Sequence, residues 1–171
     1  LAMCCGGTVE LFIEPIMNKK KLYIFGLGHI GKALSKFAVD LDFNVTVIDD
    51  RYDAFDNFDV QDCTIIKEHH ATAIEKLVFD DHTFVVILTH DHQHDREILA
   101  LTSKKKHQYI GMIGSERKVE IAKKNMIAFN IMDAEKIKEI DMPIGLDIEA
   151  ITPQEIAISI LAKLIDVRNK K

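Results

Sequence analysis

The sequence predicts an α/β fold with a doubly wound, mostly parallel sheet. Short apolar segments typical of buried strands alternate with segments whose apolar residues recur at helical spacing. A G-x-G-x-x-G motif at 26–31 lies between the first such strand and the following helix. The length of 171 residues suits one domain, which we place at 21–171, behind a short segment at 1–20. We therefore predict a Rossmann-like domain with an edge strand at its amino end and a docking helix at its carboxyl end.

Composition narrows the class of protein. The net charge of −5 disfavours a nucleic-acid surface, and no apolar run approaches the roughly 20 residues that a membrane span needs. Three cysteines, two of them adjacent, do not form a disulfide framework. We therefore expect a cytoplasmic protein that binds neither nucleic acid nor membranes. Because the chain begins at Leu1 and opens directly into apolar and glycine residues, we also expect it to be part of a longer protein.

The amino-terminal segment carries two adjacent thiols and one predicted strand. Cys4 and Cys5 lie in a glycine-flanked loop, where exposed thiols can take sulfur, hold a soft metal or be inert. Residues 8–16 alternate apolar and polar side chains and are stopped by Pro15, which is typical of a half-buried strand at a sheet edge.

The first βαβ unit contains the predicted nucleotide site. Strands are predicted at 22–25 and 45–48, with a helix between them. In such units the first glycine forms a tight turn, the second lets a pyrophosphate approach, and the third lets the helix pack closely. An acid at the end of the second strand is placed to bind a ribose. The candidate cofactor-binding residues here are Gly26, Gly28, His29, Ile30, Gly31, Asp49, Asp50 and Arg51.

The identity of the ligand stays open at this point. Arg51 suits a 2′-phosphate, whereas Asp49 and Asp50 repel one, so the sequence favours NAD over NADP. Another adenine-bearing ligand is also compatible with the motif. The glycines can equally form a tight turn in a domain that binds no nucleotide, because a fold does not dictate a ligand.

The later elements continue the alternation of strands and helices. Strands are predicted at 63–66, 83–89 and 109–113, and helices at 71–78 and 95–103. Ser115 is predicted to cap a helix whose apolar stripe ends at Phe129. Thr152 begins the last helix with a capping box, and its wide apolar face suits either the sheet or a second copy of the chain. From that face and the exposed-looking first strand we expect a homodimer.

The loop after the strongest strand is dense in polar side chains. His90, His92 and His94 are candidate metal ligands, and His90, Asp91 and His92 are candidate acid–base residues. A plain polar loop is the alternative. Because the carboxyl ends of parallel strands meet at one edge, we expect this loop to share a cleft with the glycine turn and with a final group of candidate residues. That group is Thr89, Gly114 and Ser115. The neighbouring pair at 69–70 is predicted to face solvent, and Cys63 to be a buried small residue.

Several stretches together resemble one family, the XdhC/CoxI accessory proteins of molybdenum hydroxylases. The resemblance covers nearly the whole chain, and its cysteine–glycine, THDH, PIGLDI and TPQEIA motifs are more specific than the glycine turn. One departure is Glu149, which stands where the family commonly has glycine. The matching stretches are 3–7, 12–15, 25–31, 45–51, 89–92, 109–115, 143–148 and 152–157.

The resemblance implies a maturation factor rather than an ordinary enzyme. Such a factor binds molybdenum cofactor (molybdopterin) and supports its sulfuration and insertion into apo xanthine dehydrogenase or a related hydroxylase, with a cysteine desulfurase as a further partner. It implies that the glycine turn receives the cofactor's phosphate and that Cys4 or Cys5 handles sulfur or molybdenum. Two alternatives remain open, an NAD(P)-dependent oxidoreductase and a nucleotide-sensing regulatory domain, since both also use the glycine turn.

Overall fold

The computed structural model describes residues 10–12 and 19–170, and the sheet and helices lie within 21–169. A short 3-10 helix follows the second strand at Tyr52–Phe55. The strands are β1 (Lys21–Phe25), β2 (Asn44–Ile48), β3 (Cys63–Ile66), β4 (Thr83–Ile87) and β5 (Tyr109–Met112). The helices are α1 (His29–Asp40), α2 (His70–Lys76), α3 (His92–Thr102), α4 (Glu116–Ala128), α5 (Ala134–Lys138) and α6 (Pro153–Asn169).

The five strands form one sheet in the order β3-β2-β1-β4-β5, and every pair is parallel. This confirms the predicted doubly wound α/β fold. In the register of the sheet, Phe25 lies opposite both Ile48 and Ile87. The residues that follow these three strands therefore meet at one edge, at the switch point where the chain turns from one half of the sheet to the other.

Each face of the sheet has its own apolar core. Along β1, Leu22 and Ile24 pack on one face with residues of α1 and α6. Tyr23 and Phe25 point to the opposite face and pack with α2, α3 and α4. This alternation is the period of two that a strand imposes, and it explains why β1 is apolar throughout.

Helix α6 begins with the predicted capping box, and its apolar face, for which the sheet and a second copy of the chain were both open, docks within its own chain. The Thr152 hydroxyl accepts from the amide of Glu155, whose carboxylate accepts from the Thr152 amide in return. The apolar face of α6 packs against α1, and Arg168 donates to the carbonyl of Leu41 at 2.7 Å. The stripe on which the expected homodimer partly rested is therefore covered by α1.

Some predicted details are wrong. Helix α3 begins at His92 rather than at 95. Phe129 is 71% exposed instead of lying on the buried stripe of α4. Ser115 is the residue directly before α4, but its side chain makes no capping hydrogen bond.

Most of the strand predicted at 8–16 lies outside the described residues, and 10–12 carry no regular structure. Among the described helices, none has the length and apolar character that a membrane crossing requires.

Glu149 adopts a left-handed backbone conformation, with φ of 54°. This conformation costs a residue with a side chain roughly 1 kcal/mol or more, whereas glycine adopts it freely. A glycine at position 149 would therefore remove a backbone cost that Glu149 carries.

We expect Tyr109→Phe to lower the free energy of unfolding by about 1–2 kcal/mol. The buried Tyr109 hydroxyl donates to Oδ2 of Asp141 at 2.6 Å, and that carboxylate also accepts from the amide of Gly145 at 3.1 Å. Asp141 pairs through its backbone with Gly111 on β5, so the bond fastens the 141–145 segment to the sheet edge. Urea denaturation measures the effect. Tyr52→Phe is the matched control, because Tyr52 is 72% exposed, and an equal loss there would contradict this role for Tyr109.

Candidate functional site

Two glycines of the turn after β1 are required by the fold itself. Gly26 has φ of 104°, and a Cβ there would lie 2.5 Å from the carbonyl oxygen of Leu88. A Cβ on Gly31 would overlap the carbonyl oxygen of Gly26, so α1 packs against the turn without room for a side chain. Both positions therefore need glycine for reasons that involve no ligand.

Gly28 differs from both of these glycines. Its φ of −72° is open to any residue, and a Cβ there would meet no atom within 4 Å. It is the residue before α1, and no side chain caps that end of the helix. The first amides of α1 therefore have no side-chain cap and lie beside the open space at Gly28, an arrangement that suits phosphate binding.

Asp49 is locked into the glycine turn. Its Oδ2 accepts from the amide of Leu27 at 2.7 Å and from Nη2 of Arg51 at 2.7 Å. Its Oδ1 accepts from the amide and from Nε of Arg51, both at 3.0 Å. Burial raises the pKa of the Asp49 carboxyl, but the hydrogen bonds from Arg51 and Leu27 outweigh burial, so the pKa is lowered.

These contacts leave Asp50, unlike Asp49, as an accessible acid at this edge. A carboxylate has about four acceptor positions, and all four of Asp49 are used inside the chain. The guanidinium of Arg51 is likewise held by Asp49. Asp50 is exposed and lines the neighbouring cavity. A ribose or 2′-phosphate would have to displace an existing bond of Asp49 or Arg51, whereas Asp50 is free to receive a hydroxyl.

The structure brings the glycine turn and the histidine-rich loop to one narrow cavity of about 20 Å³. The turn contributes Gly26, and the loop contributes Thr89, His90 and His94. Asp50 closes another side. His29, Ile30 and Gly31 lie on the first turn of α1, beside Gly28.

The three candidate metal ligands of the loop do not converge. Because α3 begins at His92, the segment is helical rather than extended, and alternate side chains diverge. His90 and His94 line the cavity beside the glycine turn, whereas His92 lines a different one. The side chain of Asp91 caps α3 by accepting from the amide of Gln93 at 2.8 Å, which gives this candidate acid–base residue a structural role.

Asp95 connects the two cavities. This buried carboxylate accepts from the Thr89 hydroxyl at 2.6 Å and lies 3.2 Å from Nδ1 of His92. Burial raises its pKa, although the bonds from Thr89 and His92 act in the opposite direction. The sequence places Asp95 among the acids of the histidine-rich segment but does not reveal its partners, because these depend on the exact start of α3.

A larger, mainly apolar cavity of about 240 Å³ lies between α3 and α4. Arg96 and Lys118 supply positive charge among its lining residues. Gly114 lines this cavity and a further one of about 390 Å³ beneath the loop at 143–150. Neither Gly114 nor Ser115 lines the narrow cavity beside the glycine turn, where we expected both, and Ser115 lines none of these three cavities.

The neighbouring pair His69 and His70 differs from the prediction. His69 is exposed, but His70 is 6% exposed and lies at the start of α2, against Glu97 of α3. Burial lowers the pKa of His70, with Glu97 acting in the opposite direction. The available signal was position, because residues that follow β3 reach the same sheet edge as the glycine turn.

The cysteines divide into two groups. Cys4 and Cys5 lie outside the described residues. Cys63 is half-buried, and burial raises the pKa of its thiol to about 11. A thiol of this kind carries little thiolate near neutral pH, so Cys63 is unsuited to nucleophilic chemistry.

The chain is similar to proteins connected with xanthine dehydrogenase. A family model described as the XdhC Rossmann domain matches residues 22–164. A probable xanthine dehydrogenase subunit of Bacillus subtilis (strain 168) is 30% identical over 165 residues, covering 95% of this chain and 47% of that protein. The uncharacterized protein YqeB of Escherichia coli (strain K12) is 30% identical over 167 residues, covering 96% of this chain and 30% of that protein.

A crystal structure of a xanthine dehydrogenase from Bacillus halodurans has the same fold, with a TM-score of 0.77 and 34% sequence identity. The match covers 90% of this chain and 44% of that one. This chain thus spans less than half the length of each of these three relatives. Because the family model extends over most of the sequence, the chain belongs to the XdhC family, and residues 22–164 are its Rossmann domain.

Proposed function

We propose that this chain binds molybdenum cofactor and supports its sulfuration and insertion into a xanthine dehydrogenase-type hydroxylase. Support comes from membership of the XdhC family and from two relatives whose names refer to xanthine dehydrogenase. Because the chain spans only part of those relatives, the proposal concerns the step that a Rossmann domain performs best, which is holding the phosphate-bearing end of the cofactor.

The observation that carries the proposal is the open space at Gly28. The fold explains glycine at 26 and at 31, but nothing in the fold requires it at 28. A missing side chain beside the uncapped end of a helix suits close approach of a phosphate to the backbone. The residues present therefore fit the phosphate of a pterin cofactor.

The remaining parts of the cofactor have candidate contacts nearby. The apolar cavity between α3 and α4 suits a flat ring system, and Asp95 links it through Thr89 to the cavity beside the glycine turn. Cys4 and Cys5 are the proposed sulfur or molybdenum ligands, since thiolates prefer soft metals. Bound in the client enzyme, the cofactor supplies the redox chemistry of hydroxylation.

The contacts of Asp49 favour cofactor handling over an NAD(P)-dependent oxidoreductase. The two side chains that would distinguish NAD from NADP, Asp49 and Arg51, are already bound to each other. A dinucleotide would therefore depend on Asp50 for its ribose. The same contacts weigh against a regulatory domain that senses an adenine nucleotide, because such a domain uses the same ribose position.

The test is the affinity of the purified protein for molybdenum cofactor, measured by equilibrium binding. We expect Gly28→Ala to keep the fold and to weaken binding at least about tenfold, because the new methyl group occupies the phosphate position. Lys36→Ala, on an exposed position of the same helix, is the matched control and should bind normally. Unchanged affinity in Gly28→Ala, or tighter binding of NAD or NADP than of molybdenum cofactor, would refute the proposal.

A further inference from the structure

His70 presents a buried nitrogen whose close polar neighbour, Glu97, is poorly aligned for a hydrogen bond. Its side chain is 7% exposed, and Nε2 makes no hydrogen bond to any of the described residues. Oε2 of Glu97 lies 3.0 Å from this nitrogen, but not along the direction that a hydrogen bond requires. A buried polar atom in this state costs free energy unless something satisfies it.

The atoms around His70 are spaced as metal ligands are. His69, His70 and Glu97 each contribute one ligand atom, and these atoms lie within 4.8 Å of one another. Ligands held at about 2.0–2.1 Å from a tetrahedral zinc ion lie about 3.3 Å apart. The separation of 3.0 Å between Nε2 of His70 and Oε2 of Glu97 is close to that value.

The fold holds this cluster from two sides. The two histidines begin α2 and Glu97 lies on α3, and these two helices pack against each other. His94, one turn before Glu97, places its ring centre 4.9 Å from that of His70. The Nδ1 atom of His69 accepts a long hydrogen bond of 3.4 Å from the amide of Ala71. Metal binding through Nε2 would place the ring proton on Nδ1 and break this bond, at small cost because the bond is long.

From this geometry we infer that His69, His70 and Glu97 bind a divalent transition-metal ion. Two imidazoles and one carboxylate form the donor set of open zinc sites and of other divalent transition metals, with at least one position left for an outside ligand. His70 also lines the narrow cavity that Gly26 and Asp50 border. The free position is therefore near this narrow cavity, where it would meet a small oxygen ligand. The site does not rest on the proposed cofactor function.

Zinc is the probe, and competition with a chromogenic chelator is the measurement. The chain is used with Cys4→Ser and Cys5→Ser, so that the amino-terminal thiols cannot bind the ion. We expect one zinc ion per chain. Glu97→Gln should weaken binding more than about tenfold, since even residues that only support ligands contribute that much. Glu97 is 47% exposed, so this change leaves the fold intact, and His70→Gln gives a second test.

Matched controls separate this site from incidental binding. Glu75→Gln alters an exposed acid on α2, and His107→Gln removes a histidine outside the cluster. Both should bind zinc as the parent chain does. Zinc should also raise the melting temperature of the parent but not of Glu97→Gln. The inference would be overturned by any of three results. These are absence of stoichiometric zinc binding, an affinity in Glu97→Gln and His70→Gln equal to that of the parent chain, or a loss of affinity in the control variants as large as in Glu97→Gln.

Discussion

Gly31→Ala is expected to lower the free energy of unfolding by about 3 kcal/mol, which corresponds to a fall in melting temperature of about 6–12 °C. The added Cβ would overlap the carbonyl oxygen of Gly26, which belongs to the backbone and cannot rotate away. Relief requires α1 to move from the turn and loosen its contacts with β1. Urea denaturation, checked by thermal unfolding, measures the loss.

Gly28→Ala is the control for this prediction. The same added methyl group meets no atom within 4 Å, so we expect a change of less than about 1 kcal/mol. The two variants thus add the same methyl group at positions three residues apart. At Gly31 the surrounding atoms leave no room for it, and at Gly28 they do. Equal destabilisation of the two would show that the turn is not packed as described.

Asp49→Asn is expected to lower the free energy of unfolding by about 2–3 kcal/mol at neutral pH. Asparagine presents an NH₂ group where one carboxylate oxygen accepts, so donors would face donors at Leu27 or Arg51. We set the figure below that of a fully buried pair because the side chain of Arg51 is 37% exposed and solvent screens it. Asp50→Asn, at an exposed neighbouring acid, should change stability by less than about 0.5 kcal/mol.

The stabilisation by Asp49 should depend on pH. Its pKa is lower in the folded protein than in the unfolded chain, where an aspartate has a pKa of about 3.9. The unfolded chain therefore binds the proton first, and the contribution is complete above that pH and declines as the pH falls through the folded pKa. The difference between parent and Asp49→Asn should shrink below about pH 4. A difference that is constant or grows on acidification would contradict this assignment.

The fold was predictable from sequence because its signals are local and repeated. Continuous apolar runs such as 84–88 indicate strands covered on both faces, and the spacing around Leu34 and Ala38 indicates a helix with one buried face. Alternation of these elements leaves few topologies other than a parallel sheet with right-handed crossovers. The capping residues around Thr152 also set the start of α6 correctly.

The site was predictable only in outline, because its details depend on side-chain partners from distant elements. The sequence placed Asp49 at the right edge, but not its four bonds to Leu27 and Arg51. The pair at 69–70 was expected to face solvent because polar side chains are usually exposed. The burial of His70 depends on its packing against Glu97, which lies on another helix and could not be anticipated from the sequence. The start of α3 was misplaced by three residues, which changed the directions of the histidines.

The packing of α6 against α1 has a consequence for biosynthesis. These two helices lie at opposite ends of the domain's sequence, and Arg168 is fastened to Leu41 across 127 positions. During synthesis, the part of the apolar surface of α1 that α6 covers stays exposed until the final helix emerges. Nascent chains would thus be prone to aggregate for most of their synthesis. Any truncation before α6 should yield insoluble protein rather than a smaller folded domain.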